Sequence, residues 1–100
     1  MDKSRVLTLI KTTYTVDKIG QQVPVETRRD AFCNVSSVSA SELFDARKAG
    51  LKPEYRATMF APDYEREEIV ELDGMRYGVY RTYLGRNETI ELYVERKAGV

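Results

Sequence analysis

The sequence predicts a mainly β fold: a small closed or partly closed antiparallel β-barrel of about six strands with one short inserted α-helix. Between Glu68 and Lys97, apolar and polar side chains alternate with a period of two through three short segments, as in strands with one buried face. Only the segment after Ser39 has apolar residues at helical spacing. Because an open sheet of short strands leaves exposed edges, we expect closure into a barrel.

The chain of 100 residues has the common size of one domain, and we assign residues 1–100 to a single domain. Its net charge is zero but uneven along the chain. Residues 1–29 carry six basic and three acidic groups, a net charge of +3, whereas residues 63–75 carry one basic and six acidic groups, a net charge of −5. Two interpretations stay open: both stretches are solvated surface, or oppositely charged sides attract each other between copies.

The first half of the chain predicts two long strands. Arg5 to Tyr14 is rich in β-branched residues and forms the first strand. The polar segment Asp17 to Gln22, with a central glycine, forms a hairpin tip. Val25 to Val38 forms the return strand, in which Ala31 to Val35 faces inward. We expect Arg28 to Asp30 to be solvated and bulged.

A short helix follows the second strand. Ser39 and Glu42 match the capping box, in which a hydroxyl at the N-cap is followed three residues later by a carboxylate. The helix has about ten residues and ends at Gly50, where a glycine suits a helix C-terminus. It is too short to be stable by propensity alone, so we expect Leu43 and Phe44 to pack it onto the core.

The rest of the chain predicts four strands. Glu54 to Ala61 forms the third strand, and the charged segment Pro62 to Glu67 forms a solvated acidic loop. Asp73-Gly74 supplies the two positive-φ positions of a tight hairpin turn between the next two strands. Gly78 marks a bend or bulge in the fifth strand. Ile90 to Val94 forms the last strand.

Residues for catalysis or metal binding are scarce. The chain has no histidine and a single cysteine, Cys33, which excludes a zinc site and an internal disulfide. We expect Cys33 to be a buried, inert thiol. The carboxylates of the acidic loop lack the spacing of a calcium loop. We therefore predict no enzymatic activity and no cofactor, and, because no secretion signal or membrane span stands out, synthesis in the cytoplasm.

A cluster of tyrosines and arginines favours one alternative. Tyr77, Tyr80 and Tyr93 lie on neighbouring predicted strands with arginines between them, and small barrels use such residues to stack on single-stranded nucleic acid. However, Tyr77 and Tyr80 face opposite sides of the sheet, and the acidic loop repels phosphate. Nucleic-acid binding is therefore kept as the alternative.

Several short segments follow one another in a recognisable order along nearly the whole chain. They are Thr12-Thr13-Tyr14, Asp17-Lys18-Ile19-Gly20-Gln21, Val25-Glu26-Thr27, Ala31-Phe32-Cys33-Asn34-Val35, Ser41-Glu42-Leu43-Phe44, Glu54-Tyr55-Arg56-Ala57-Thr58-Met59, Ile69-Val70-Glu71-Leu72-Asp73-Gly74-Met75-Arg76-Tyr77-Gly78-Val79-Tyr80 and Ile90-Glu91-Leu92-Tyr93-Val94. This order resembles the phage head–tail joining family, also described as head-closure, stopper or head–tail adaptor proteins. One departure is Phe32, a core position where many relatives have Trp.

The resemblance implies a structural virion protein of a tailed bacteriophage or prophage. Such a protein forms a ring at the head–tail connector, closes the DNA-filled head and provides the surface to which the tail attaches. The implied partners are portal or adaptor proteins, tail proteins and other copies of the chain; the genome passes through the ring without sequence-specific binding, and no membrane is involved. The implied location is the head–tail interface of the virion. A closely related alternative is a tail-terminator or tail-completion ring protein.

The resemblance also places candidate contact residues. The hairpin tip and the acidic loop would contact neighbouring subunits or adjacent rings, through Lys18, Ile19, Gly20, Gln21, Asp63, Glu65 and Glu67. The segment between the second and third strands would face the channel, through Ser41, Glu42, Arg47, Lys48 and Lys52.

Overall fold

The computed structural model describes residues 5–96, so the predicted strand end at Lys97 lies outside the described residues. These residues form six strands, one α-helix and a short 3-10 turn. They are β1 (Arg5–Val16), β2 (Gln22–Ser36), α1 (Ala40–Lys48), β3 (Pro53–Phe60), the 3-10 turn (Ala61–Asp63), β4 (Ile69–Leu72), β5 (Met75–Leu84) and β6 (Thr89–Arg96). The predicted number and order of elements are confirmed.

All six strands pair antiparallel in one ring-like sheet, in the order β1-β2-β3-β6-β5-β4, with β4 returning to β1. The predicted closed or partly closed barrel is therefore confirmed. The seam between β1 and β4 has only three residue pairs, from Thr8↔Glu71 to Ile10↔Ile69. By contrast, β1 and β2 pair without interruption from Arg5↔Cys33 to Val16↔Gln22.

The core lies inside the ring and follows the predicted period of two. Leu7 and Leu9 of β1, Val70 of β4 and Leu92 of β6 are almost completely buried. Burying such a side chain contributes about 1.5–3 kcal/mol, so these positions hold much of the stability. Cys33 is also buried, which confirms that part of the prediction, and burial raises the pKa of its thiol.

Two turns set the hairpins. Asp73 and Gly74 have φ values of 53° and 78°, as the predicted tight turn requires. At the other hairpin, the Asp17 carboxylate accepts hydrogen bonds from the backbone N–H groups of Ile19 and Gln21, at 3.0 and 2.9 Å. These bonds hold the loop between β1 and β2 in a defined shape.

Three local predictions are wrong. No bulge interrupts β2 at residues 28–30, because its register with β1 is regular. A bulge at Gly78 is wrong, because the irregularity in β5 falls between Val79 and Arg81 and the extra residue is Tyr80. Phe32 is 71% exposed instead of lying in the core. It alternates with the inward-facing Ala31 and Cys33 and must therefore point outward.

Helix α1 is packed differently from the prediction. Its only buried residue is Ala46, whereas Phe44 is 62% exposed, with the Lys48 ammonium 4.6 Å from the centre of its ring. Ser39 caps the helix by accepting a hydrogen bond from the Glu42 N–H at 3.2 Å. The Glu42 carboxylate, however, binds the barrel wall, so the capping box is only half formed. No helix within residues 5–96 is long and apolar enough to cross a lipid bilayer.

Candidate interaction surfaces

The main surface feature is a β-hairpin that extends beyond the barrel. Pairing of β1 with β4 stops at Ile10, and pairing of β2 with β3 begins only at Cys33. Every residue from Lys11 to Thr27 is exposed, and we call this segment the arm. The strand from Lys11 to Val16 adds about 20 Å at ~3.4 Å per residue. The molecule is correspondingly elongated, at 51 × 30 × 23 Å.

The outer end of the arm is apolar. We call Tyr14–Pro24 the arm tip, since Tyr14 and Pro24 are register partners. Within it, Ile19 is 78% exposed, Val16 70% and Tyr14 62%. The predicted contact residues Lys18, Ile19, Gly20 and Gln21 all lie here, and all are exposed. Large apolar side chains exposed together on a protrusion are typical of interaction sites.

A network of ion pairs fixes the base of the arm to the barrel. The Arg76 guanidinium donates two hydrogen bonds, both 3.1 Å, to the Glu26 carboxylate, and Arg28 pairs with Glu71. These pairs cross the outside of β1, where Ile10 is only 2% exposed. The hydrogen bonds from Arg76 lower the pKa of Glu26. A single exposed pair contributes little to stability, but linked pairs restrict the direction of the arm.

A buried carboxylate anchors the acidic loop. Glu67 is 2% exposed, and its Oε2 atom lies 2.7 Å from an Arg29 guanidinium nitrogen. Its Oε1 atom accepts the Glu65 N–H at 2.8 Å, and its backbone carbonyl accepts the Tyr64 hydroxyl at 2.7 Å. Arg29 also donates to the Asp63 carbonyl at 2.8 Å. This network closes the loop against β2.

The anchor corrects part of the prediction for the acidic loop. The prediction of a solvated loop is wrong at Glu67, whose carboxylate is buried and bonded within the chain and is therefore not accessible to a neighbouring subunit. Desolvation alone would raise the pKa of Glu67, but the hydrogen bonds from Arg29 and from backbone N–H groups outweigh it and lower the pKa. Asp63 and Glu65 are exposed, as predicted for a solvated loop.

Helix α1 is fastened to the outside of the barrel by Glu42. Its carboxylate accepts a hydrogen bond from the Tyr80 hydroxyl at 2.9 Å and pairs with Arg81. The Arg81 guanidinium lies 4.2 Å from the centre of the Tyr93 ring. The β-bulge at Tyr80 brings these side chains to one face. The hydrogen bond from Arg81 lowers the pKa of Glu42, and burial followed by the bond to Glu42 raises the pKa of Tyr80.

The contact of Glu42 with Tyr80 and Arg81, which we call the clamp, corrects part of the prediction for the segment that the resemblance placed in a channel. Glu42 faces the barrel, which the sequence did not reveal because its partners lie nearly forty residues away. The other four predicted residues are exposed: Ser41, Arg47, Lys48 and Lys52.

Replacing Glu42 with alanine is expected to loosen α1 without unfolding the barrel. The variant loses a hydrogen bond to a charged acceptor, worth about 1.5 kcal/mol or more, because Tyr80 is left half-buried without its partner. Amide hydrogen exchange of residues 43–48 should become roughly tenfold faster, while exchange in β1 and β6 stays unchanged. The matched control is Asp45→Ala, on the same helix, since Asp45 is exposed. Equal exchange in both variants would contradict the clamp.

Two of the three clustered tyrosines, Tyr77 and Tyr93, are not available for base stacking. Tyr77 is 6% exposed and packs edge-to-face against Tyr55, with ring centres 5.7 Å apart. Tyr93 is buried beneath Arg81. Neither ring offers a free face to a nucleotide.

A second apolar surface lies on the barrel wall. Val6, Phe32 and Phe60 are exposed on the outer face of three adjacent strands, and we call this row the phenylalanine wall. A surface groove of about 520 Å³ lies elsewhere, beside Tyr64, Arg66 and Leu84. Among residues 5–96, no three acidic or cysteine side chains are placed to hold a metal ion.

The fold and these surfaces define a small β-barrel protein with a projecting arm. Comparison of the chain with protein-family models and with curated proteins finds no match.

Proposed function

We propose that this protein is a structural subunit of the head–tail connector of a tailed bacteriophage or prophage. It has no enzymatic activity, assembles as a ring beneath the portal, closes the DNA-filled head and presents the tail attachment surface. The observation that carries the proposal is the arm, a hairpin with an apolar tip that projects from a closed barrel. The order of segments along the sequence supplies the class of protein.

The arm supports this role because a ring subunit needs surfaces that fit other proteins. The tip places Val16 and Ile19 far from the core, where they add nothing to folding. Solvent exposure of such side chains is unfavourable, and a partner that covers them removes that cost. Arg76 and its acidic partners hold the arm in one direction, so less conformational freedom is lost on binding.

The charge of the helical segment also supports the proposal. Residues 41–55 carry three acidic groups (Glu42, Asp45 and Glu54) and three basic groups (Arg47, Lys48 and Lys52). Because Glu42 pairs with Arg81 of the barrel, the exposed groups are two acidic and three basic residues, a net charge of +1. A segment that faces passing DNA must not hold it by strong positive charge. A segment with so small a net charge is consistent with free passage of the genome through the channel.

Deleting the gene from its phage or prophage is the direct test. Heads made without the protein are expected to lose their DNA or to remain without tails, and supplying the wild-type chain should restore both. DNA retention is measured by nuclease sensitivity of purified heads, and tail joining by counting tailed particles in electron micrographs. Normal tail attachment to heads that lack the protein would refute the proposal. Stable, full heads with tails of abnormal length would instead identify a tail-terminator protein.

A further inference from the structure

We propose that the arm tip of one copy packs against the phenylalanine wall of a second copy, in a head-to-tail contact. This inference rests on the proposed function, because it names the subunit contact that the ring would use. It identifies the receiving surface by residue and commits to another copy of the same chain as the partner.

The wall is a continuous row across three strands. Val6 and Phe32 are register partners in β1 and β2. Cys33 of β2 pairs with Met59 of β3. The next position along the two antiparallel strands therefore brings Phe32 and Phe60 side by side. Their exposed fractions are 51% for Val6, 71% for Phe32 and 48% for Phe60. Two neighbouring phenylalanines left this exposed form an apolar surface fit for a partner.

The arm tip cannot reach the wall of its own chain. Val6 and Val16 lie on the same strand and, with even spacing, on the same face of the hairpin. They are ten positions apart, which separates these side chains by about 34 Å at ~3.4 Å per residue. The regular register of β1 with β2 contains no bulge where the hairpin would fold back. A contact between tip and wall must therefore join two chains.

The charges around the two surfaces are complementary. Within residues 5–96, Lys11 and Lys18 of the arm take part in no ion pair. Both lysines are exposed. The arm also carries two acidic residues, but Glu26 is paired with Arg76, so the two lysines and Asp17 leave an unpaired charge of +1. An acidic rim on a partner would attract this charge, because opposite charges steer two surfaces into register.

The wall has such an acidic rim. Asp30 lies two positions from Phe32 and on the same face of β2. Glu88 and Glu91 lie on either side of the β6 residue that pairs with Phe60. In the part of the chain that the structure describes, none of these three carboxylates pairs with a lysine or arginine.

Tip and wall are different surfaces, so the contact is heterologous. Each copy then offers a tip to one neighbour and a wall to the other, and repetition generates a ring if the rotation closes. This geometry needs no other protein to begin assembly.

Site-specific photo-cross-linking of the full-length chain tests the contact. A benzoylphenylalanine at position 19 is irradiated at high protein concentration, and the cross-linked peptides are identified by mass spectrometry. We expect intermolecular cross-links to residues within or beside Phe32 and Phe60. Cross-links that map to other surfaces, or none between chains at a concentration of about 1 mM, well above the Kd of a specific subunit contact, would overturn the inference.

Variants of the phenylalanine wall provide a second, independent test of the contact. Phe32→Ser combined with Phe60→Ser is expected to lower the cross-link yield about tenfold or more, as truncation of central aromatic contacts does. Phe44→Ser is the matched control, since Phe44 is similarly exposed but lies on α1. An unchanged yield in the double variant, with folding verified by circular dichroism, would also contradict the contact.

The two proposals fail in different ways. If cross-links avoid the wall while heads still require the protein for tail joining, the inference is wrong and the proposed function stands. If cross-links map to the wall but heads join tails without the protein, the contact is real and the function is wrong.

Discussion

Shortening the arm is expected to reduce tail joining by about 100-fold or more while the barrel stays folded, because the apolar tip holds several contact residues worth ~2 kcal/mol each. The proposed variant replaces residues 14–24 with Asn-Gly, which connects Thr13 to Val25 through a two-residue turn. All residues removed are exposed, so the core loses nothing.

The new turn fits the geometry of the hairpin. The Asp17 N–H donates to the Gln21 carbonyl, and hydrogen-bonded pairs alternate along an antiparallel ladder. Thr13 and Val25 are therefore a hydrogen-bonded pair, which a two-residue Asn-Gly turn closes well.

Complementation of heads that lack the protein measures the effect. Folding of the short-arm variant is checked by its thermal unfolding, which should match that of the wild type within a few degrees. Leu84→Ser is a suitable control, because Leu84 is as exposed as Val16 but lies at the β5–β6 turn. Wild-type tail joining by a folded short-arm protein would show that the arm has no part in assembly.

Arg29→Ala is expected to lower the free energy of unfolding by about 3 kcal/mol, at the low end for a broken buried pair because Arg29 is itself partly exposed. The substitution leaves the Glu67 carboxylate buried without its charged partner. It also removes the hydrogen bond to the Asp63 carbonyl, which helps to hold the acidic loop against β2.

Chemical denaturation followed by circular dichroism gives the free energy of unfolding. The neighbouring Arg28→Ala variant is the control, since its pair with Glu71 is more exposed and its loss should cost less than about 1 kcal/mol. Equal destabilisation by the two substitutions would show that the buried Arg29–Glu67 pair contributes no more to stability than the exposed Arg28–Glu71 pair.

The stability difference between wild type and Arg29→Ala should also depend on pH. The pKa of Glu67 is lowered in the folded state, so its ion pair stabilises the protein above the ordinary glutamate pKa and is lost as pH falls through the lowered value. The deficit of Arg29→Ala is therefore largest at neutral pH and narrows as pH falls, because the buried Glu67 of the variant, without its arginine, is protonated more readily than the paired carboxylate of the wild type. Protonated Glu67 carries no charge, so its burial is no longer unfavourable without the arginine.

The sequence predicts the barrel well because a period of two fixes which face each side chain occupies. The same rule places Phe32 outside, opposite to Ala31 and Cys33, and the expectation of a core phenylalanine gave its hydrophobicity more weight than its position in the strand. The prediction that Phe44 packs α1 onto the core is wrong for a similar reason. The helix buries Ala46 and binds the barrel through Glu42, whereas its largest apolar residue is exposed.

The surfaces are less predictable because they depend on distant partners. Glu67 looks like any other carboxylate in an acidic run until Arg29, far away in the sequence, comes within 2.7 Å. The hairpin turn after Val16 is visible in the sequence, but the free length of the arm is set by where β3 and β4 cease to pair with it. Local patterns carry no information about those end points.

The unbroken ladder of the hairpin has a mechanical consequence. A twisted two-stranded ribbon without a bulge bends little at any one point, so a load on Ile19 rotates the whole hairpin about its root. The torque then acts on the Arg28–Glu71 ion pair and on the short pairing of β1 with β4, which ends at Ile10. The hairpin is therefore a lever, and displacement of its far end strains the strand that carries Leu7 and Leu9 into the centre of the molecule.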